Sequence, residues 1–134
     1  MKKIAPALAR SSRLETAALS RDPEVVKAYV NDPLVHDRIT ASLFMEVYMS
    51  GEWALAHAGD LSLPLLLMHG GGDRITSASA SREFVKMGGS SITLHVWDGW
   101  YHEIHNEPEK AEMFRVMISW MDKAANERDS RIRK

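Results

Sequence analysis

Two segments of this chain carry the residues that can do chemistry. One reads Leu65-Leu66-Leu67-Met68-His69-Gly70-Gly71-Gly72-Asp73, the other Gly99-Trp100-Tyr101-His102-Glu103. In each, a titratable side chain stands in a glycine-containing loop after a short apolar run. A carboxylate that holds an imidazole in one tautomer also stabilises the imidazolium formed when the ring takes a proton. Such a ring activates a hydroxyl whose own pKa is too high for unaided attack on an ester. Asp73 and His102 are therefore the candidate catalytic residues, as orienting acid and general base. Taken singly, each has a plainer reading. A Gly-Asp pair after a strand is a common turn, and a lone loop histidine is more often a hydrogen-bonded loop residue. The pair, each member after an apolar run, favours the catalytic reading.

The elements that must position this pair follow from local pattern. Leu63-Pro64-Leu65-Leu66-Leu67-Met68 is apolar on both parities and suits a strand covered on both faces, with Pro64 confined to its beginning. Ile92, Leu94 and Val96 alternate with Thr93, His95 and Trp97, a second strand. Between them, Thr76 or Ser77 caps a helix through Phe84, Val85 and Met87 that Gly88-Gly89 closes. Functional groups in open α/β sheets gather at the carboxyl ends of strands. Neighbouring parallel strands lie about 5 Å apart, so two such loops can meet.

Upstream, Asp22 caps and Pro23 opens a short helix through Val25, Val26 and Tyr29, broken by Asn31-Asp32-Pro33. Ile39, Leu43, Phe44, Val47 and Tyr48 then fall at helical spacing, and Trp53-Ala54-Leu55-Ala56 continues the helix. Gly51 weakens its middle and Gly59 ends it. Downstream, Asn106 caps a last helix with Glu109 completing a capping box, and Met113, Met117, Trp120 and Met121 form its buried stripe. From Asp122 the chain is polar and is expected to fray. Periodicity from Met1 to about Leu19 is weak. From His36 the order is helix, strand, helix, strand, helix: an α/β fold built on a right-handed βαβ unit with a helix at each end. Two strands leave sheet edges unpaired, and a stable sheet usually has three or more.

Here the residues resemble a family. Pro64 through Ile75, then Ser81-Arg82-Glu83-Phe84, then Asp98-Gly99-Trp100-Tyr101-His102-Glu103-Ile104-His105-Asn106-Glu107-Pro108-Glu109 resemble the C-terminal part of the monoacylglycerol lipase and lysophospholipase group of α/β-hydrolases, together with the serine-aminopeptidase-like hydrolases. The resemblance runs from about Leu19 to Asp122, and the Tyr-His-Glu then Asn-Glu-Pro-Glu string is its most specific part. It implies a partial α/β-hydrolase fold, with residues 1–37 a remnant of the helical cap, 38–126 the C-terminal part of the core and 127–134 a frayed tail. It implies that Asp73 is the triad acid and His102 the triad base, acting on acyl-ester or lipid substrates without a cofactor. That family's nucleophile stands in a Gly-x-Ser-x-Gly elbow between strand and helix, before the cap. The nearest match here, Gly88-Gly89-Ser90-Ser91-Ile92, has isoleucine for the last glycine and lies between helix and strand. The oxyanion loop is not seen either. The expectation is the C-terminal half of a serine hydrolase, inactive alone, whose partner is its missing N-terminal half. The alternative is a non-catalytic α/β module that self-associates through its incomplete sheet.

Two motifs imitate other chemistry. His69-Gly70-Gly71-Gly72 spells a lipase oxyanion motif, but no elbow follows and Asp73 comes at once, so the glycines read as a tight turn. His102-Glu103-Ile104-His105 spaces its histidines by three rather than the four of a zinc-protease helix, so no metal site is expected. Trp97 and Trp100 are assigned to packing, as is the methionine stripe. Under the cap reading Leu34, Val35, Phe44 and Met45 are candidates to line a lipid pocket.

Composition bounds the rest. At 134 residues, with 45% hydrophobic and 26% charged residues, the chain reads as one soluble domain. Seventeen basic against 18 acidic residues give a formal charge of −1 and no electrostatic ground for a nucleic-acid partner. No cysteine is present, which excludes disulfides and thiol catalysis and suits a cytoplasmic setting. The basic and apolar start is cut off by Arg10, too early for a signal peptide, and no apolar run is long enough for a transmembrane segment.

Overall fold

A computed structural model describes residues 8–132. The start of the chain through residue 7 and the last two positions of the tail lie outside the described residues. The elements run β1 (Ala9–Ser11), α1 (Pro23–Asn31), β2 (Arg38–Thr40), α2 (Ala41–Ala56), β3 (Leu65–Gly70), α3 (Ala78–Gly88), β4 (Ile92–Trp97) and α4 (Lys110–Ile132). β3 and β4 pair in parallel from Leu65 opposite Ile92 to Gly70 opposite Trp97, with α3 as the crossover. β1 and β2, not anticipated from the weakly periodic start, form a separate antiparallel pair with Ala9 opposite Thr40.

Helix starts follow side-chain chemistry. Asp22 accepts the Glu24 amide at 2.9 Å ahead of Pro23. Thr40 accepts the Leu43 amide at 3.1 Å, so α2 begins at Ala41 and leaves Ile39 in β2. Ser77 rather than Thr76 caps α3, through the Ala80 amide at 3.2 Å. α2 passes Gly51 unbroken and ends at Ala56, before Gly59, where His57 folds its ring back onto the Trp53 carbonyl.

α4 departs from expectation at both ends. Asn106 does not cap it; that residue sits in a one-turn 3-10 helix, Ile104–Asn106, and donates its side-chain amide to Glu103 at 2.8 Å. The helix starts at Lys110 because Glu107 is drawn into the interior and holds the preceding chain in a turn. At the other end α4 continues to Ile132, through the stretch read as fraying; Ala124, Ala125, Glu127 and Arg131 are good helix formers. The buried stripe begins at Met113, 2% exposed, but stops before Met121, which is 54% exposed.

The central cluster is Trp97, Trp100 and Met113, flanked by Met68, Ile104, Val116 and Met117. The two indole rings stack at 5.2 Å. Both tryptophans therefore pack the base of the β4 loop instead of facing an open pocket. Truncating Met113 to alanine is expected to cost about 2–5 kcal/mol, the range for a buried methionine, read as a lowered urea midpoint.

Candidate active site

β3 and β4 end side by side, and the loops that follow are zipped together by backbone. The Gly71 amide donates to the Trp97 carbonyl at 2.7 Å and the Gly72 amide to Trp100 at 2.8 Å. The β4 loop turns at Asp98-Gly99, where Gly99 takes φ +76°, a conformation most side chains resist. A Cβ on Gly70 would lie 2.1 Å from the Tyr101 carbonyl oxygen and 2.5 Å from that of Trp100. The three glycines form the tight turn expected of them, and they also let the two loops touch.

This contact brings Asp73 and His102 together. His102 Nδ1 lies 2.9 Å from Asp73 Oδ2. With a carboxylate oxygen as its neighbour, Nδ1 is assigned the proton, which leaves the Nε2 lone pair free. The Asp73 side chain is 1% exposed and the imidazole 33%. Burial alone would raise the Asp73 pKa. It is outweighed by hydrogen bonds from the Thr76 hydroxyl, the His102 ring and the backbone amides of Thr76 and Ile75, which hold the carboxyl well below its usual range. The amides reach Oδ1 at 3.0 and 2.7 Å, and the hydroxyl reaches Oδ2 at 2.6 Å.

The backbone of the His102 loop is pinned from the other side. The amides of His102 and Glu103 donate to the carbonyls of Ala18 and Leu19 at 3.3 and 2.8 Å. Glu107, with no exposed surface, accepts the amides of Tyr101 and Arg21 at 3.0 and 3.1 Å and pairs with the Arg21 guanidinium, which also reaches Glu109. The sequence shows Thr76 as a candidate cap and Glu107 within the Asn-Glu-Pro-Glu string but not these contacts, and Arg21 does not stand out at all. The Arg21–Glu107 pair joins distant parts of the chain, and Thr76 turns back onto Asp73 only in the folded loop. His69, passed over with its glycines, has its Nε2 3.1 Å from Asp73 Oδ2. His95 packs on the Trp97 ring and His105 is exposed. Among the described residues, no three histidine or carboxylate side chains are arranged to hold a metal ion.

Ser90 lies in the 3-10 turn Gly89–Ser91 that leads into β4, at the opposite end of the sheet from the pair. A six-residue strand spans about 20 Å. Of the four pocket candidates, Phe44 and Met45 line an open hollow of about 520 Å³ with Leu8 and Ile39. Val35 borders a separate one, and Leu34 is 89% exposed. No helix among the described residues is long and apolar enough to cross a membrane.

Two outcomes follow. Gly70→Ala is expected to cost on the order of 2 kcal/mol through backbone collision and to separate the loops, which a lost His102–Asp73 contact in NMR spectra would report. Asp73 has a depressed folded-state pKa, so its ionisation stabilises the fold above the ordinary value of 3.8 and that contribution is lost as pH falls below it. Denaturant midpoints measured from pH 5 downward should therefore fall less steeply in Asp73→Asn than in the unsubstituted chain.

Comparison with known proteins agrees with this architecture. The family model described as serine aminopeptidase, S33, matches residues 1–109. A monoacylglycerol lipase of Mycolicibacterium smegmatis is 36% identical over 121 residues, which are 89% of this chain and 43% of that protein. Phospholipase YtpA of Bacillus subtilis is 29% identical over 121 residues, 89% of this chain and 47% of its own length. The crystal structure of a monoacylglycerol lipase from Paleococcus ferrophilus matches with a TM-score of 0.86 at 37% identity, covering 91% of this chain and 48% of that one. The chain thus spans a little under half the length of each of these three proteins. Sequence match and shared architecture together show that it belongs to the serine aminopeptidase S33 family and carries part of the α/β-hydrolase fold.

Proposed function

We propose that this chain is the acid-and-histidine portion of a serine hydrolase that cleaves acyl esters, monoacylglycerols or lysophospholipids. The observation that carries the reading is the 2.9 Å contact between the buried Asp73 carboxylate and Nδ1 of the half-buried His102 ring. Asp73 orients the ring. His102 Nε2 takes the proton from a serine hydroxyl as its oxygen attacks the ester carbonyl, then returns that proton to the leaving alcohol. Water repeats the sequence on the acyl-serine. No cofactor enters these steps. The lipid-ester class is supported by the names of the relatives, a monoacylglycerol lipase and a phospholipase. Residues 1–37 are assigned to the end of a cap over the acyl group, and residues 38–126 to the core. The absence of cysteine suits a cytoplasmic enzyme.

The nucleophile in this reading comes from a segment seated on the surfaces that this chain leaves open. Leu43, Phe44, Val47 and Tyr48 on α2 are all more than half exposed. Among the described residues, β3 is paired only with β4. Both features suit a parallel strand with its attached helix. The same surfaces favour a second reading, a non-catalytic module that joins its own copies. Light scattering decides that reading, since a stable monomer at high concentration overturns it.

The catalytic reading is tested by fusing this chain behind the N-terminal portion of the Mycolicibacterium smegmatis relative. The fusion is expected to hydrolyse a monoacylglycerol, and this chain alone to show little turnover. His102→Ala should lower kcat by roughly 10³-fold or more, whereas His105→Ala and Ser90→Ala should leave it within a few-fold. Turnover by the chain alone that Ser90→Ala abolishes would overturn the assignment of the nucleophile. Full activity of a His102→Ala fusion would overturn the role of the histidine.

A further inference from the structure

Asp73 faces two imidazoles. His69, the penultimate residue of β3, places Nε2 3.1 Å from Asp73 Oδ2, the oxygen that His102 Nδ1 reaches at 2.9 Å. The same His69 nitrogen is 3.4 Å from Thr76 Oγ1. The single hydroxyl proton of Thr76 is committed to Asp73 at 2.6 Å, so towards His69 this oxygen can only accept. Both neighbours of His69 Nε2 are therefore acceptors, and that nitrogen must carry a proton. On the other side of the ring, Ser81 Oγ from α3 lies 2.8 Å from His69 Nδ1. In a neutral ring Nδ1 is then an acceptor, and the Ser81 hydroxyl is its donor. Ser81 thereby reinforces the tautomer that the acceptors at Nε2 require, as an outer partner commonly does for a working histidine. The His69 side chain is 13% exposed, so its N–H dipole acts on the carboxylate with little screening.

We propose that His69, held by Ser81, is a positioning residue for the acid–histidine pair. The positive end of its Nε2–H dipole, 3.1 Å from Asp73 Oδ2, draws on the same oxygen as His102 and limits how strongly the carboxylate holds that ring. This inference rests on the reading of Asp73 and His102 as acid and base. A carboxylate that bound the imidazolium too tightly would make it a poorer acid towards the leaving alcohol. A purely structural His69, filling space between β3 and α3, would have no such effect on the neighbouring ring.

The test is proton and nitrogen NMR of the full chain, which needs neither nucleophile nor substrate. In the unsubstituted chain the His102 Nδ1–H proton should resonate downfield, and His69 should show the Nε2–H tautomer. His69→Leu is expected to move the His102 proton further downfield, as its bond to Asp73 shortens. His69→Gln, whose amide restores a donor near the Nε2 position, should move it back. Ser81→Ala, which leaves His69 and both acceptors at its Nε2 in place, should keep the Nε2–H tautomer and leave the His102 proton nearer its unsubstituted position than His69→Leu does. A His102 proton indifferent to both His69 substitutions in chains with native amide dispersion overturns the proposal. So does an Nδ1–H tautomer of His69 in the unsubstituted chain. If the unsubstituted chain shows no downfield His102 proton, the acid–histidine reading fails with it, so the two failures are told apart.

Discussion

Everything at the candidate site depends on two backbone hydrogen bonds beyond the ends of β3 and β4. The amides of Gly71 and Gly72 donate to the carbonyls of Trp97 and Trp100 and carry the pairing of the two strands past their last residues. That contact exists because Gly70 has no Cβ to collide with the Tyr101 and Trp100 carbonyls. Parallel strands leave their carboxyl ends on one rim. The glycines bring the two loops on that rim to hydrogen-bond distance. An acid and an imidazole far apart in sequence then meet without any long side chain having to reach.

A buried carboxylate is stable only where donors replace the water it has lost. The chain solves this problem twice, on either side of the His102 loop. Asp73 gathers two amides, a hydroxyl and the ring of His102. Glu107 gathers the amides of Tyr101 and Arg21 and the Arg21 guanidinium. Asp73 orients the imidazole, and Glu107 fixes the backbone that carries it. The stacked Trp97 and Trp100 pack with Met113 into the core from which the His102 loop leaves.

Away from this rim the chain is less self-sufficient. Among the described residues its parallel sheet has two strands, and α2 turns large apolar side chains outward. The small cluster around Met113 and the tryptophans packs beneath the loop of the candidate site rather than beneath α2. Relatives about twice as long share the architecture. A rim on which Asp73 and His102 meet thus sits on a fold that leaves much of the apolar surface of α2 open.

The amino-acid sequence by itself determined the local elements and the pair. Alternation marked β4, Asp22 and Pro23 marked the start of α1, and the Gly-Asp and Tyr-His loops after apolar runs marked Asp73 and His102. These signals are legible because strand period, capping and turn chemistry act over a few residues. Short β1 and β2 escaped notice because three-residue strands carry no period, and each exists only by pairing with the other. The start of α4 was misplaced because a buried Glu107, held by Arg21 from the far end of the chain, overrides the capping box. His69 was hidden for the same reason: its meaning comes from Ser81 on the next helix and Asp73 across the turn. Only the tertiary structure decided these, since a hydrogen bond between distant segments leaves no mark on either segment alone.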